Sequence, residues 1–94
     1  MACSEPNWGV YLLCCADGTL YTGMTNRLQQ RLARHRAGQA SRYTRARLPV
    51  TLVYWEDCSD RSSALRREAA IKKLDRRAKL RLIEVMVQRE LKIK

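Results

Sequence analysis

The first 25 residues contain no lysine or arginine, the chain never strings together the ~18 apolar residues of a membrane span, and its four cysteines never form a C-x-x-C pair. Each absence removes a class. Without a long apolar run there is no membrane helix, and "MACSEPNW" has neither the basic start nor the apolar stretch of a signal peptide, so a cytoplasmic protein is expected. Adjacent Cys14 and Cys15 point to opposite faces of a strand, which leaves Cys3, Cys14, Cys15 and Cys58 as buried free thiols rather than a chelate or a bridge. Repeats, low-complexity runs and long linkers are also missing, and 94 residues bury one modest core. One domain over 1–94 is expected, with its core at about 8–85.

Beyond residue 25 the chain is a cation. All 19 lysines and arginines lie there, against seven of the nine acids, and the formal charge is +10. Such a field draws polyanions, and nucleic acid is the most abundant, because each neutralised phosphate also releases counterions. A membrane surface is disfavoured, since no helix pairs a basic face with a broad apolar one.

"WGVYLLCC", "ADG" and "TLYTG" read as strand, turn and strand, with Gly18 free to take a positive φ. A three-residue loop sets Leu13 opposite Tyr21 and makes Tyr11 and Tyr21 diagonal neighbours on one face; a two-residue loop would part them. Thr25 or Asn26 is the expected cap of the next helix, with Gln29 completing a capping box and Gly38 ending it. Leu28 and Leu32 mark its inner stripe, and Arg31 and His35 sit one turn apart at the stripe's edge. "SRYTRARLPV" predicts a short helical turn before Pro49, and "TLVYWE" a third strand. Ser59 or Asp60 caps a helix whose inner face is Ala64, Leu65 and Ile71, and a last helix places Leu80, Ile83, Val87 and Leu91 on one side.

Glu68 falls within that inner face. A carboxylate is seldom buried alone, so a cation must meet it: a nearby arginine, or a divalent metal held by one carboxylate, water and phosphate.

These residues assemble into a resemblance. "GVY" at 9–11, "YTG" at 21–23, Arg31, His35 and Glu68 on a downstream helix resemble the GIY-YIG nuclease superfamily, from Trp8 into the last helix. "RLARHRAG" and "REAAIKKLDRRAKLRLIE" are similar to its small stand-alone bacterial members, the YhbQ-like, UPF0213-type group. The resemblance implies an α/β protein of the α+β type, a three-stranded antiparallel sheet flanked by helices, and endonuclease hydrolysis of DNA phosphodiester bonds with one Mg²⁺ or Mn²⁺. It carries catalytic roles to Tyr11, Tyr21, Arg31, His35 and Glu68, the metal to Glu68, and the motif glycines to Gly9 and Gly23. The implied division of labour has Tyr11 accept the proton of water, Tyr21 hydrogen-bond the base or the water, Arg31 clamp phosphoryl oxygens, and His35 orient phosphate or assist proton transfer. Val10 and Thr22 replace the motif isoleucines, and Met24 stands where the excision-repair branch has a lysine that helps activate tyrosine. A tyrosine base near neutrality then needs its phenol lowered from about 10 by the metal and the cations around it, and an alkaline optimum is expected.

The expected DNA contacts are Arg27, Arg42, Tyr43, Arg45, Lys72, Arg76 and Lys79, on DNA with branched, flapped or single-stranded regions, in repair or processing near the nucleoid. A protein partner for targeting is a further expectation. Two other readings remain: a DNA-binding module of this fold without turnover, and a basic protein-interaction module.

Overall fold

The computed structural model describes residues 7–93, with side chains described through residue 88; Cys3 and the side chain of Leu91 lie outside the described residues. Strands β1 (Trp8–Cys14), β2 (Leu20–Thr25) and β3 (Thr51–Cys58) form one antiparallel sheet in the order β2-β1-β3. Helices α1 (Leu28–Arg36) and α2 (Arg42–Arg45) lie between β2 and β3, and α3 (Arg61–Lys72) and α4 (Arg76–Ile93) come after β3.

The hairpin takes the three-residue loop. Leu13 pairs with Tyr21, the Cys15 N–H donates to the Thr19 carbonyl at 2.9 Å, and Gly18 adopts φ +84°. Because side chains alternate along β1, the register sorts the core into two layers. Val10 and Leu12 face Tyr54, Ala64 and Ile71, with Leu82, Ile83 and Met86 of α4 packed against them. Tyr11 and Leu13 face the other way, toward Leu32 and Val50, with Tyr21, Leu28 and Trp55 alongside. Every strand residue of the site is therefore on the α1–α2 side.

Several local expectations are corrected. The N-cap of α1 is Arg27, and no side chain caps the helix; the Thr25 hydroxyl accepts the Arg27 N–H at 3.0 Å instead, which makes a turn of the segment assigned to the cap. Gly38 does end α1, at φ +76°, with the Gln39 N–H returning to the Arg34 carbonyl at 2.8 Å. Asp60 caps α3 through the Ser63 N–H at 2.8 Å. Leu65, expected inside, is 49% exposed, and on α4 the inner side is Leu82, Ile83 and Met86 while Leu80 and Val87 face solvent. Of the described thiols Cys15 is buried, and Cys14 and Cys58 are only partly so.

Thr22, in place of a motif isoleucine, sits opposite Leu12 and is 4% exposed; its hydroxyl is the one buried side-chain polar atom without a partner among the described residues. An unpaired buried hydroxyl costs about 1–3 kcal/mol. Thr22→Val keeps the shape and removes the cost, so its thermal midpoint is expected to rise by several degrees, as read by circular dichroism.

Candidate active site

Tyr11 and Tyr21 share one face with ring centroids 6.5 Å apart, tilted by 40°. Tyr11 can lie where it does because its neighbour across β2 is Gly23: a Cβ there would collide with the phenol ring and its hydroxyl. Gly9 does the same for Trp55, whose indole occupies the space a side chain would fill. Both motif glycines thus serve close approach; neither has a positive φ.

His35 packs edge-on against both phenols, at 5.7 Å from Tyr11 and 5.3 Å from Tyr21. The helix stripe predicts it at an edge, yet it is only 1% exposed. Helix α1 lies against α2, and Thr44 of α2 supplies the partner that allows an imidazole to be buried. His35 Nε2 meets the Tyr11 hydroxyl at 2.8 Å, and Nδ1 meets Thr44 Oγ1 at 2.9 Å. The Thr44 hydroxyl donates to the Ser41 carbonyl at 3.4 Å, and its N–H to Ser41 Oγ at 3.1 Å. The two hydroxyls also meet at 3.0 Å, and when the Thr44 proton points to Ser41 the ring takes the tautomer in which Nδ1 donates to Thr44 and Nε2 accepts the Tyr11 O–H. Both ring nitrogens are then occupied by protein partners. Ser41 and Thr44 escaped the sequence reading; the trace they leave is a serine three residues before a threonine, a capping pattern for a short helix.

The electrostatics oppose a free phenolate. Burial pushes the Tyr11 phenol well above its ordinary value, Tyr21 and Glu68 add to the rise, and Arg31 alone pulls it down. The lowering toward neutrality that a tyrosine base requires is absent from the protein's own groups. Burial and then Arg31 hold the His35 imidazole below its ordinary value, so it stays neutral and basic at physiological pH. Met24 packs into the opposite core layer, beneath α3 and α4, and takes no part.

Arg31 lies near enough to act on both Tyr11 and His35, and it enters none of the ion pairs among the described residues. Glu68, on α3, is felt at the Tyr11 hydroxyl and is 17% exposed. The cation beside it is Lys72, one turn along the helix at 3.6 Å and 55% exposed, rather than an arginine; so loose and solvated a pair contributes little. Lys72 therefore belongs to the site's rim. No group of three or more His, Cys, Asp or Glu residues able to hold a metal occurs among the described residues. A single half-buried carboxylate completed by water and phosphate oxygens fits Mg²⁺ and does not fit zinc.

The remaining expected contacts divide. Arg27, Arg31 and Arg34 line a recess of about 130 Å³ with Thr25, Asn26 and Gln30, at the end of α1 that no side chain caps. Arg42 and Arg45 are exposed on α2, where Tyr43 stacks on Tyr21 at 6.0 Å. Arg76 instead donates to the Gly18 carbonyl of the hairpin turn, which makes it a brace, and Lys79 is half-buried on α4. A larger cleft of about 500 Å³ opens beside Tyr54, Arg67 and Met86, but its polar groups are spent on one another. There the Tyr54 hydroxyl and Arg67 Nε each donate to Glu56, at 2.6 and 2.7 Å.

Comparison with known proteins identifies the family and the fold. A family profile described as the GIY-YIG catalytic domain matches residues 7–81. A UPF0213 protein of Desulfotalea psychrophila is 50% identical over 81 residues, 85% of this chain and 74% of its own. One from Streptococcus sanguinis is 49% identical over 79 residues, 84% and 91% of the two chains. The solution structure of a UPF0213 protein from Bacillus halodurans superposes with a TM-score of 0.55 at 38% identity, covering 84% of each chain. A protein of E. faecalis gives 0.60 at 33% identity, covering 94% and 93%. No helix among the described residues is long and apolar enough to cross a membrane. The profile match over residues 7–81 and the near-50% identity to UPF0213 proteins show that the chain belongs to the GIY-YIG nuclease family, and the two phenols and the imidazole of its motif share one face.

Proposed function

We propose that this protein is a Mg²⁺-dependent endonuclease that hydrolyses DNA phosphodiester bonds in the cytoplasm, on nucleoid DNA under repair or processing. One observation carries the reading: the Tyr11 hydroxyl is bonded to a neutral, buried His35. A phenol whose ionisation is opposed by burial is a poor base alone, but it passes a proton on at little cost when a base already holds the other end of its hydrogen bond.

The groups present set the order of events. As water attacks phosphorus, the bond from phosphorus to the leaving sugar oxygen breaks; the water's proton goes to the Tyr11 oxygen while the Tyr11 proton moves to His35 Nε2, and the departing alkoxide takes its proton from solvent. The Nδ1–H remains on Thr44, whose bond to Ser41 fixes the ring in the accepting tautomer. Tyr21 packs against both rings and fixes the approach of the water. Arg31 clamps the phosphoryl oxygens as negative charge builds on them, and Arg27 and Arg34 hold a neighbouring phosphate. Glu68 would hold the metal, displacing Lys72; a bound Mg²⁺ supplies charge stabilisation at the phosphoryl and leaving oxygens. The positive field draws DNA and protein targeting is left to a partner.

The test uses nicked, flapped, branched and plain duplex DNA with Mg²⁺, comparing the wild type with Glu68→Gln. Cleavage by the wild type is expected to fall at least about 10²-fold in the variant, with DNA affinity retained. Salt-dependent binding without cleavage by either protein would establish a binding module instead. Absence of salt-dependent binding would leave a basic protein-interaction surface.

A further inference from the structure

From the stack that runs outward from Tyr21, we infer a base-stacking platform that selects substrates with an unpaired nucleobase close to the scissile phosphate; the inference rests on the nuclease reading and names its substrate class. Tyr43 lies nearly parallel to Tyr21, at 28° and 6.0 Å, and the guanidinium of Arg47 lies over the Tyr43 ring at 3.8 Å. The stack thus starts at a residue of the active site and ends at a planar cation. Arg47 ends within about three base-stacking distances of the Tyr21 ring, at ~3.4 Å each.

Two side-chain bonds hold the terminal plane, and a backbone bond anchors its residue. Arg47 Nε donates to Asp17 Oδ2 at 3.0 Å, and Nη1 to the Tyr43 carbonyl at 3.0 Å. The Arg47 carbonyl accepts the Ala16 N–H at 2.9 Å, which ties the end of α2 to the hairpin turn. Asp17 is fixed in turn by the Thr19 hydroxyl and N–H, at 2.6 and 3.1 Å. These side-chain bonds engage Nε and Nη1 at the edge of the guanidinium and leave its plane; one face rests on Tyr43, and the side chain remains 33% exposed. A surface arginine usually spends rotamer entropy when it engages a ligand, whereas this one is already immobilised.

A flat, preorganised guanidinium backed by aromatic rings is the chemistry that stacks a nucleobase, as single-strand binding proteins do. Tyr43 is 37% exposed, and Arg42 and Arg45 beside it are placed to follow the backbone of the same strand. A base within a duplex keeps its neighbours on both faces and offers none to Arg47, so the platform discriminates against plain duplex and for a flap, gap or branch.

The experiment measures affinity in EDTA, where no turnover occurs, for a duplex carrying a short single-stranded flap with 2-aminopurine at successive positions, and for the same sequence fully paired. The wild type is expected to prefer the flap by about ten- to a hundredfold and to change the fluorescence of 2-aminopurine at one or two positions nearest the junction. Arg47→Lys keeps the charge and its reach to Asp17 but lacks the plane, and Tyr43→Leu keeps bulk without the ring. Both should lose most of the preference, the flap losing far more affinity than the paired duplex, with unchanged circular dichroism. Equal wild-type affinity for both DNAs, or a preference that survives Arg47→Lys, would overturn the platform. Because the readout is binding, a preference found in a protein that cleaves nothing supports the platform and rejects the nuclease reading; cleavage without preference does the reverse.

Discussion

Tyr11→Phe is expected to lower phosphodiester cleavage by about 10²–10⁴-fold, the range associated with a positioned acid–base group, while leaving DNA binding within a few-fold of the wild type. Phenylalanine fills the same space over Gly23, so the loss reports the hydroxyl rather than a cavity. It also strips His35 Nε2 of its partner, at about 1–3 kcal/mol, which a lower thermal midpoint would reveal. The pH profile carries the sharper information. Because His35 must be neutral to accept the proton and is held below its ordinary value, the acid limb should lie below about pH 6.5, followed by a plateau through neutrality. A free phenolate base would instead give a rate climbing about tenfold per pH unit toward alkaline conditions, and that result would remove His35 from the reaction. Stability obeys the same linkage: with its folded value depressed, His35 contributes a loss that begins as pH falls through about 6.5 and deepens toward that lower value; well above about 6.5 this group contributes no pH dependence.

Gly23→Ala is expected to act on fold and chemistry together. The added methyl has no free space, since the ring and hydroxyl of Tyr11 already occupy it, and overpacking of this kind costs about 1–3 kcal/mol. Relief requires Tyr11 to move away from Gly23, and a displacement of about 1 Å of a reacting group lowers rates by about 10²-fold. The variant should therefore melt at a lower temperature and cleave at least a hundredfold more slowly. Gly18→Ala is the contrasting control. Nothing lies within 4 Å of its prospective Cβ, but φ is +84°, so it costs about 1–2 kcal/mol of backbone strain and should spare the chemistry.

The hairpin register was legible in the sequence because the chemistry of the turn decides it: a glycine at the left-handed position fixes the loop, and the loop fixes which faces the tyrosines share. A cap at Ser59 or Asp60 and a short helical turn before Pro49 were legible for the same reason, since capping and turn signals act over a few residues; the structure selects Asp60 and Arg42–Arg45. The face of α4 was not. Its apolar residues support two overlapping stripes, one through Leu80 and Val87 and one through Leu82 and Met86, and only contact with the sheet chooses between them. The burial of His35 was hidden similarly, because it depends on Thr44, nine residues away on a different helix. Arg76 read as one cation among many, and its bond to the Gly18 carbonyl spans 58 positions that no local pattern connects.

Helix α2 is four residues long, and two consecutive members of it serve opposite directions. Tyr43 faces outward against Tyr21 and Arg47; Thr44, fully buried, faces inward and holds the imidazole. A single peptide bond joins them, so one short turn shapes both the exposed rim and the buried imidazole, and a change in its backbone reaches both at once.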